Sequence, residues 1–463
     1  MFALPLGSPP VPARLGTRGA PSPLHRRTEA MVGGGGAGGH APVAPQVAST
    51  SGGGAGGVAA GGGVGTFVKG VGAALAGLAG VAEGARAVSS GVGSTISSVG
   101  KSMGWIPDVY SAKDPARVPL GPSSRLDSPA FAPEHLYLLC HGLGGSPGDL
   151  AYLKKAIYDG CCTDGERESH SVLVHVCTSN YEGPNMWAIS LHDGMQSTFD
   201  GIDRGGARVA DELRGLVKQY PSLRRLTMVG NSLGGMYARY CAAECFDPAT
   251  GKVAGLEPVC YATTATPHLG VRNYLWVSKL PSAVVALGSR VGRTVMQLNH
   301  YDGEREGEGG LVLRMATESR FVDALKAFKE RAVYTNAKHD SLVAYETAGL
   351  SPGKGTAPDT REFDRDLDKL RHELKYIIRE DDTVEPPPES IGSELELERR
   401  CAEGLTRSMR WRRVVAYFPE AFAFPTAHNK ICANKRNLLF AAQCADGEYV
   451  VRHLAAWLNR HAG

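Results

Sequence analysis

The chain has 463 residues, 59 of them glycine and 28 proline, and a formal net charge of +3. Fifteen glycines fall within residues 33–65 without a strict three-residue period, which excludes collagen and leaves too little apolar side chain to offset the entropy of ordering that stretch. The first hundred residues carry a local balance of +4, so the remainder stands at −1; a body that close to neutral excludes a phosphate-tracking nucleic-acid surface.

Residues 1–105 read as a low-complexity, disordered arm. Arg14, Arg18, Arg26 and Arg27 precede the first acid, Glu29, with serines and threonines between them, a composition that also suits an organellar (plastid or mitochondrial) targeting segment. No apolar run follows Arg14 or Arg18, so a secretory layout is not expected. Residues 67–82 are apolar but built from Gly, Ala and Val, and read as linker or as a membrane-touching helix. The ten cysteines contain no paired CxxC pattern, and free thiols in a reducing, intracellular compartment are expected, cytoplasmic or membrane-associated.

From Leu136 onward, short apolar runs alternate with helical patterns. Residues 136–140, 172–176, 226–229, 259–263 and 333–335 read as buried strands, and Val209, Leu213, Leu216 and Val217 line one face of a helix over 206–220. Strands alternating with helices predict an α/β domain over 131–463, with a mostly parallel central sheet and helices on both faces. The acid-rich stretch at about 350–405 reads as an insertion, partly helical around 363–378 and partly disordered. Residues 411–418 resume the pattern as a strand, and 449–459 close it as a helix.

The motif GNSLGG follows the strand at 226–229. A strand that turns at once into a helix leaves no room for side chains on either flank, hence Gly230 and Gly234 around Ser232, whose hydroxyl the bend lifts above the sheet edge. A serine that attacks an ester creates an oxyanion, and donors must await it. The N–H of Leu233 at the following helix start is one; the loop HGLGG after the first strand supplies the other through Leu143, its glycines Gly142 and Gly144 allowing close approach. A histidine must take the serine's proton and an acid must orient it, in the chain order Ser, acid, His. Asp340 lies just past a late strand, ahead of Asp302 and Asp323 as the acid. His428 follows the last strand, ahead of His453 and His339 as the base. Such chemistry calls for no metal or organic cofactor.

Together and in order, HGLGG, GNSLGG, ATPHLG (265–270), HDSLV (339–343) and AHNKI (427–431), with FDGI (199–202) and GGARV (205–209), resemble the eukaryotic serine esterase (lipase-like) family of the α/β-hydrolase superfamily. The resemblance covers about 134–460 without the insertion. It implies an α/β-hydrolase fold, Ser232, Asp340 and His428 as the triad, and a lipase acting on acyl glycerolipids such as monoacylglycerols or phospholipids, with peripheral membrane or lipid-droplet contact. Members usually carry histidine where Asn231 stands, which implies altered tuning. His268, in the ATPHLG loop, reads as structural. The apolar residues between Leu275 and Leu287 suggest a lipid-accepting lid or plain core helices. Acyl transfer by the same triad, and a non-catalytic lipid-binding or scaffold protein, are the competing functions.

Overall fold

The computed structural model describes residues 131–462 apart from 162–171, 182–196, 275–291, 304–308, 354, 367, 369, 371–374 and 422–425. The expected arm, the apolar stretch at 67–82 and the lid residues Leu275–Leu287 lie outside these. Seven strands form one sheet, with β1 His135–Cys140, β2 Val172–Val176, β3 Arg225–Asn231, β6 Glu257–Thr264, β7 Glu330–Asn336, β8 Ile377–Asp381 and β9 Arg412–Ala416; β4 (Phe246–Asp247) and β5 (Lys252–Val253) make a small separate hairpin. The order is β2-β1-β3-β6-β7-β9-β8, all neighbours parallel except β8 with β9. The chain moves out from β1 to β2 and returns to β3 on the other side. That reversal opens a crevice at the carboxyl ends of β1 and β3, where ligands of open α/β sheets bind.

The parallel strands are near-continuous apolar runs because helices cover both faces. Leu136, Leu138 and Cys140 of β1 face one layer with α2 (Ile202–Gln219), α3 (Leu233–Glu244), α4 (Arg293–Leu298), α5 (Leu311–Thr317), α6 (Ser319–Lys326) and α7 (Glu396–Thr406). Tyr137 and Leu139 face the other, with α1 (Ala151–Cys161), α8 (Thr426–Lys430) and α10 (Gly447–Ala462); α9 (Leu438–Gln443) joins α8 to α10. The nine described cysteines are free thiols. Among the described residues no helix is long and apolar enough to cross a membrane.

Within the expected insertion, residues 367, 369 and 371–374 lie outside the described ones, Arg361–Arg365 is helical, and Ile377–Asp381 is an edge strand of the sheet. Its acids meet the arginines of β9: Arg413 pairs with Asp381 at 2.7 Å, Arg412 with Glu380, and Arg412 also reaches Asp382 at 2.9 Å. Opposite charges across an antiparallel pair favour that register, which local helix periodicity could not show. Further on, Leu397, Cys401 and Leu405 of α7 are buried in the core. A Cβ added at Gly404 would stand 2.2 Å from the Ala316 carbonyl oxygen, so α7 lies directly on α5. Gly404→Val should therefore cost about 1–3 kcal/mol by overpacking, more than the few tenths it gains in helix propensity. Calorimetry should show the melting midpoint lowered by several degrees; an unchanged midpoint would contradict this packing.

Candidate active site

β3 delivers Ser232 and α3 begins at the next residue. Ser232 has φ 55°, ψ −130°, a left-handed conformation that a side-chain-bearing residue adopts at a cost. The neighbouring strand holds it there: its N–H donates to the Thr264 carbonyl at 2.8 Å, and its own carbonyl accepts from the Thr266 hydroxyl at 2.8 Å and the Gly235 N–H at 3.1 Å. A Cβ at Gly230 would lie 2.2 Å from Gly235 Cα, and one at Gly234 would lie 2.1 Å from the Cys140 carbonyl oxygen. Only glycine fits either side of the bend.

The HGLGG loop closes on the same serine. A Cβ at Gly142 would stand 2.7 Å from Ser232 Cβ and 3.1 Å from its Oγ. Gly144, at φ 57°, donates its N–H to Thr198 Oγ1 at 3.0 Å, and Gly145 donates to the Gly142 carbonyl at 3.0 Å. Leu143 sits at the tip of this loop. Leu233 opens α3, where the first N–H groups have no intrahelical partner and the dipole favours an anion. These are the elements on which sequence placed the two oxyanion donors.

The acid and the base meet. Asp340 follows β7 and His428 lies in α8, after β9; His428 Nδ1 stands 3.0 Å from Asp340 Oδ2 and 3.1 Å from Oδ1, with side chains 8% and 2% exposed. Asp340 also accepts from the N–H groups of Leu342 (3.1 Å) and Val343 (2.9 Å) and from Asn336 Nδ2 (2.8 Å). The carboxylate's oxygens are thus held by three protein donors beside the His428 ring, a fixed geometry for that pair. The competing residues are spent elsewhere. Asp302 accepts from the Leu311 N–H at 2.8 Å, and Asp323 lies on an exposed helix face near Lys326. His453 bonds the Tyr334 hydroxyl at 3.0 Å, and His339, at φ 67°, bonds the Phe418 carbonyl at 3.2 Å.

His268 is fully buried, 2.9 Å from Thr263 Oγ1, and burial followed by the Arg239 guanidinium holds its pKa well below the usual histidine value. It is a neutral prop for the strand end that supports the elbow. Asn231 accepts from the Thr264 hydroxyl at 2.8 Å, a further tie between β3 and β6.

Sequence reasoning missed the clamp behind the HGLGG loop. Asp149 is buried and takes Arg436 in a two-pronged pair, Nε and Nη2 each at 2.6 Å, while Ser146 Oγ donates to it at 3.0 Å. Ser-x-x-Asp ahead of the apolar run 150–157 was a readable helix-start signal; its partner, 287 residues away, was not. Glu212 does similar work at the end of β2. It accepts from His175 Nε2 at 2.7 Å and from the N–H groups of Thr178 and Ser179 at 3.0 Å. Burial opposes its ionisation, but these bonds prevail and hold the carboxyl down at about 2, against an ordinary 4.5. A carboxylate with a depressed folded pKa stabilises above its unfolded pKa and loses that contribution as pH falls toward the folded value. The contribution is on the order of 3 kcal/mol at neutral pH. Glu212→Gln should flatten urea-unfolding stability between about pH 5 and pH 3 relative to wild type; an identical acid limb would refute the assignment.

Among the described residues no group of three or more His, Cys, Asp or Glu side chains is disposed to hold a metal ion. The sheet order, the elbow and the loops at the strand ends are those of an α/β-hydrolase. Residues 131–352 match the family described as "Putative serine esterase (DUF676)". "Putative lipase ROG1" of Saccharomyces cerevisiae is 25% identical over 221 residues, covering 47% of this chain and 28% of that protein. "Putative lipase C4A8.10" of Schizosaccharomyces pombe is 24% identical over 224 residues, 47% of this chain and 26% of its own length. The chain thus spans about a quarter of the length of these curated relatives. Among solved structures, the Pyrococcus furiosus esterase Pf2001 aligns with a TM-score of 0.30 at 12% identity, covering 72% of this chain and 86% of that one. Phospholipase PlaB from Legionella pneumophila, in complex with thio-NAD, aligns at 0.30 and 12%, covering 46% and 41%.

Proposed function

We propose that the protein hydrolyses carboxylic esters, with acyl glycerolipids as the substrate class, through an acyl-enzyme on Ser232. The observation that carries this reading is the strained serine at the sheet's crevice combined with the buried Asp340–His428 pair. In the first step Ser232 Oγ attacks the ester carbonyl carbon while His428 Nε2 takes its proton. The carbonyl oxygen, now negative, is met by the N–H groups of Leu143 and Leu233. His428 then gives the proton to the leaving alcohol, the acyl–oxygen bond breaks, and a water activated by the same histidine releases the acid. Asp340 holds the ring through Nδ1 and stabilises the imidazolium. The lipid assignment is supported by the family match and by relatives whose names read lipase.

Ser232→Ala should remove roughly 10⁶ of turnover on an acyl ester, because serine and histidine act as a unit. A fluorophosphonate probe should label Ser232 in the native protein and lose that labelling in His428→Ala. Turnover of the Ser232→Ala protein at the wild-type rate would falsify the mechanism. Comparison of butyrate with oleate esters tests the substrate class, and strict preference for short soluble esters would count against lipids.

A further inference from the structure

Only four large hydrophobic side chains are exposed among the described residues: Leu143 at 41%, Leu438 at 42%, Leu439 at 61% and Tyr449 at 39%. They are not scattered. Leu438 and Leu439 open α9, Tyr449 lies in the first turn of α10 just after it, and Leu143 tips the oxyanion loop. α9 reads LLFAAQ, yet none of its residues is buried. An apolar helix normally turns its apolar face to a core.

Fixed contacts hold α9 in this exposed position. Asn437 caps it, its side chain accepting the Phe440 N–H at 3.0 Å, and the Arg436 guanidinium stands 5.9 Å from the Phe440 ring. Arg436 also forms the two-pronged pair with Asp149, and a Cβ on Gly148 would touch Arg436 Cα at 3.5 Å. The segment 428–438 therefore leads from His428 to a point pinned against the oxyanion loop. The exposed leucines thus follow directly on an ion pair and a helix cap that fix the start of α9.

We infer that Leu438, Leu439 and Tyr449, with Leu143 at the mouth, form the face that seats the protein on a lipid–water interface. The inference rests on the ester-hydrolase reading and adds the surface through which its substrate arrives. The chemistry fits a lipid surface: two adjacent leucines to enter the acyl boundary, and a tyrosine with the Arg452 guanidinium 4.7 Å over its ring, an apolar body with a cationic rim at headgroup depth. A lipid phase both receives such an apolar face and carries the acyl ester that the proposed reaction consumes, which a protein partner does not.

The test uses the full chain, phosphatidylcholine vesicles with and without phosphatidylserine, and two substrates, a water-soluble butyrate ester and an oleoyl ester dispersed in the vesicles. The double variant Leu438→Ser with Leu439→Ser should weaken vesicle co-sedimentation roughly tenfold or more. It should lower turnover of the dispersed ester in proportion and leave turnover of the soluble ester within about twofold of wild type. Equal vesicle binding by the two proteins, or no vesicle binding by wild type, overturns the inference. So does a wild-type dimer that the variant dissociates without any change in vesicle binding. Retained soluble-ester turnover shows that the variant is folded. Loss of that turnover in wild type would sink the hydrolase reading alone, since co-sedimentation still decides the surface.

Discussion

Ser232 sits in a backbone region that costs a residue with a side chain on the order of 1–3 kcal/mol, and the rest of the architecture is arranged so that this cost is borne. The strain persists because three separate pieces over-determine it. β6 holds the serine's N–H and, through Thr266, its carbonyl; α3 leaves by a bend that admits only glycine; and the β1 loop closes over Gly142 at a distance no Cβ could share. Relaxing any of these would let the serine return to an ordinary conformation and withdraw its hydroxyl from the crevice. The fold and the proposed nucleophile are therefore joined at one dihedral angle.

The other half of the site is built by a different logic. Asp340 comes from the loop after β7 and His428 from the short helix α8 after β9, strands that are neighbours in the sheet though about eighty residues separate them in the chain. Asn336, at the end of β7, donates to Asp340 and also reaches the Ala427 carbonyl at 3.3 Å, so one amide ties the two segments. The parallel arrangement puts every strand's carboxyl end on one edge. Residues distant in sequence can meet there without any long loop having to reach across.

Much of this was legible from local pattern. The strands at 136–140 and 172–176 were readable because a sheet covered on both faces demands unbroken apolar runs, and GNSLGG because a sharp strand-to-helix bend demands glycine at fixed offsets. Asp340 and His428 are placed by order along the chain, and in the structure they are in hydrogen-bond contact. What could not be read depended on partners far away in sequence. Ile377–Asp381 lies in an acid-rich stretch with no strand pattern of its own, and its acids pair with Arg412 and Arg413 of the neighbouring strand. Asp149 marked a helix start, but nothing around it announced Arg436. The buried face of α7 was obscured by the acids and arginines on its other side.

The pairing of β8 with β9 has a consequence for behaviour in concentrated solution. An outermost strand ordinarily offers a ladder of open amide and carbonyl groups to any passing chain, and that is how many sheets recruit one another into fibrils. Here that margin is a short ribbon bearing Arg379, Glu380 and Asp381, its acids already engaged by arginines. A second molecule approaching from that side would have to strip charges from water before it could add a strand.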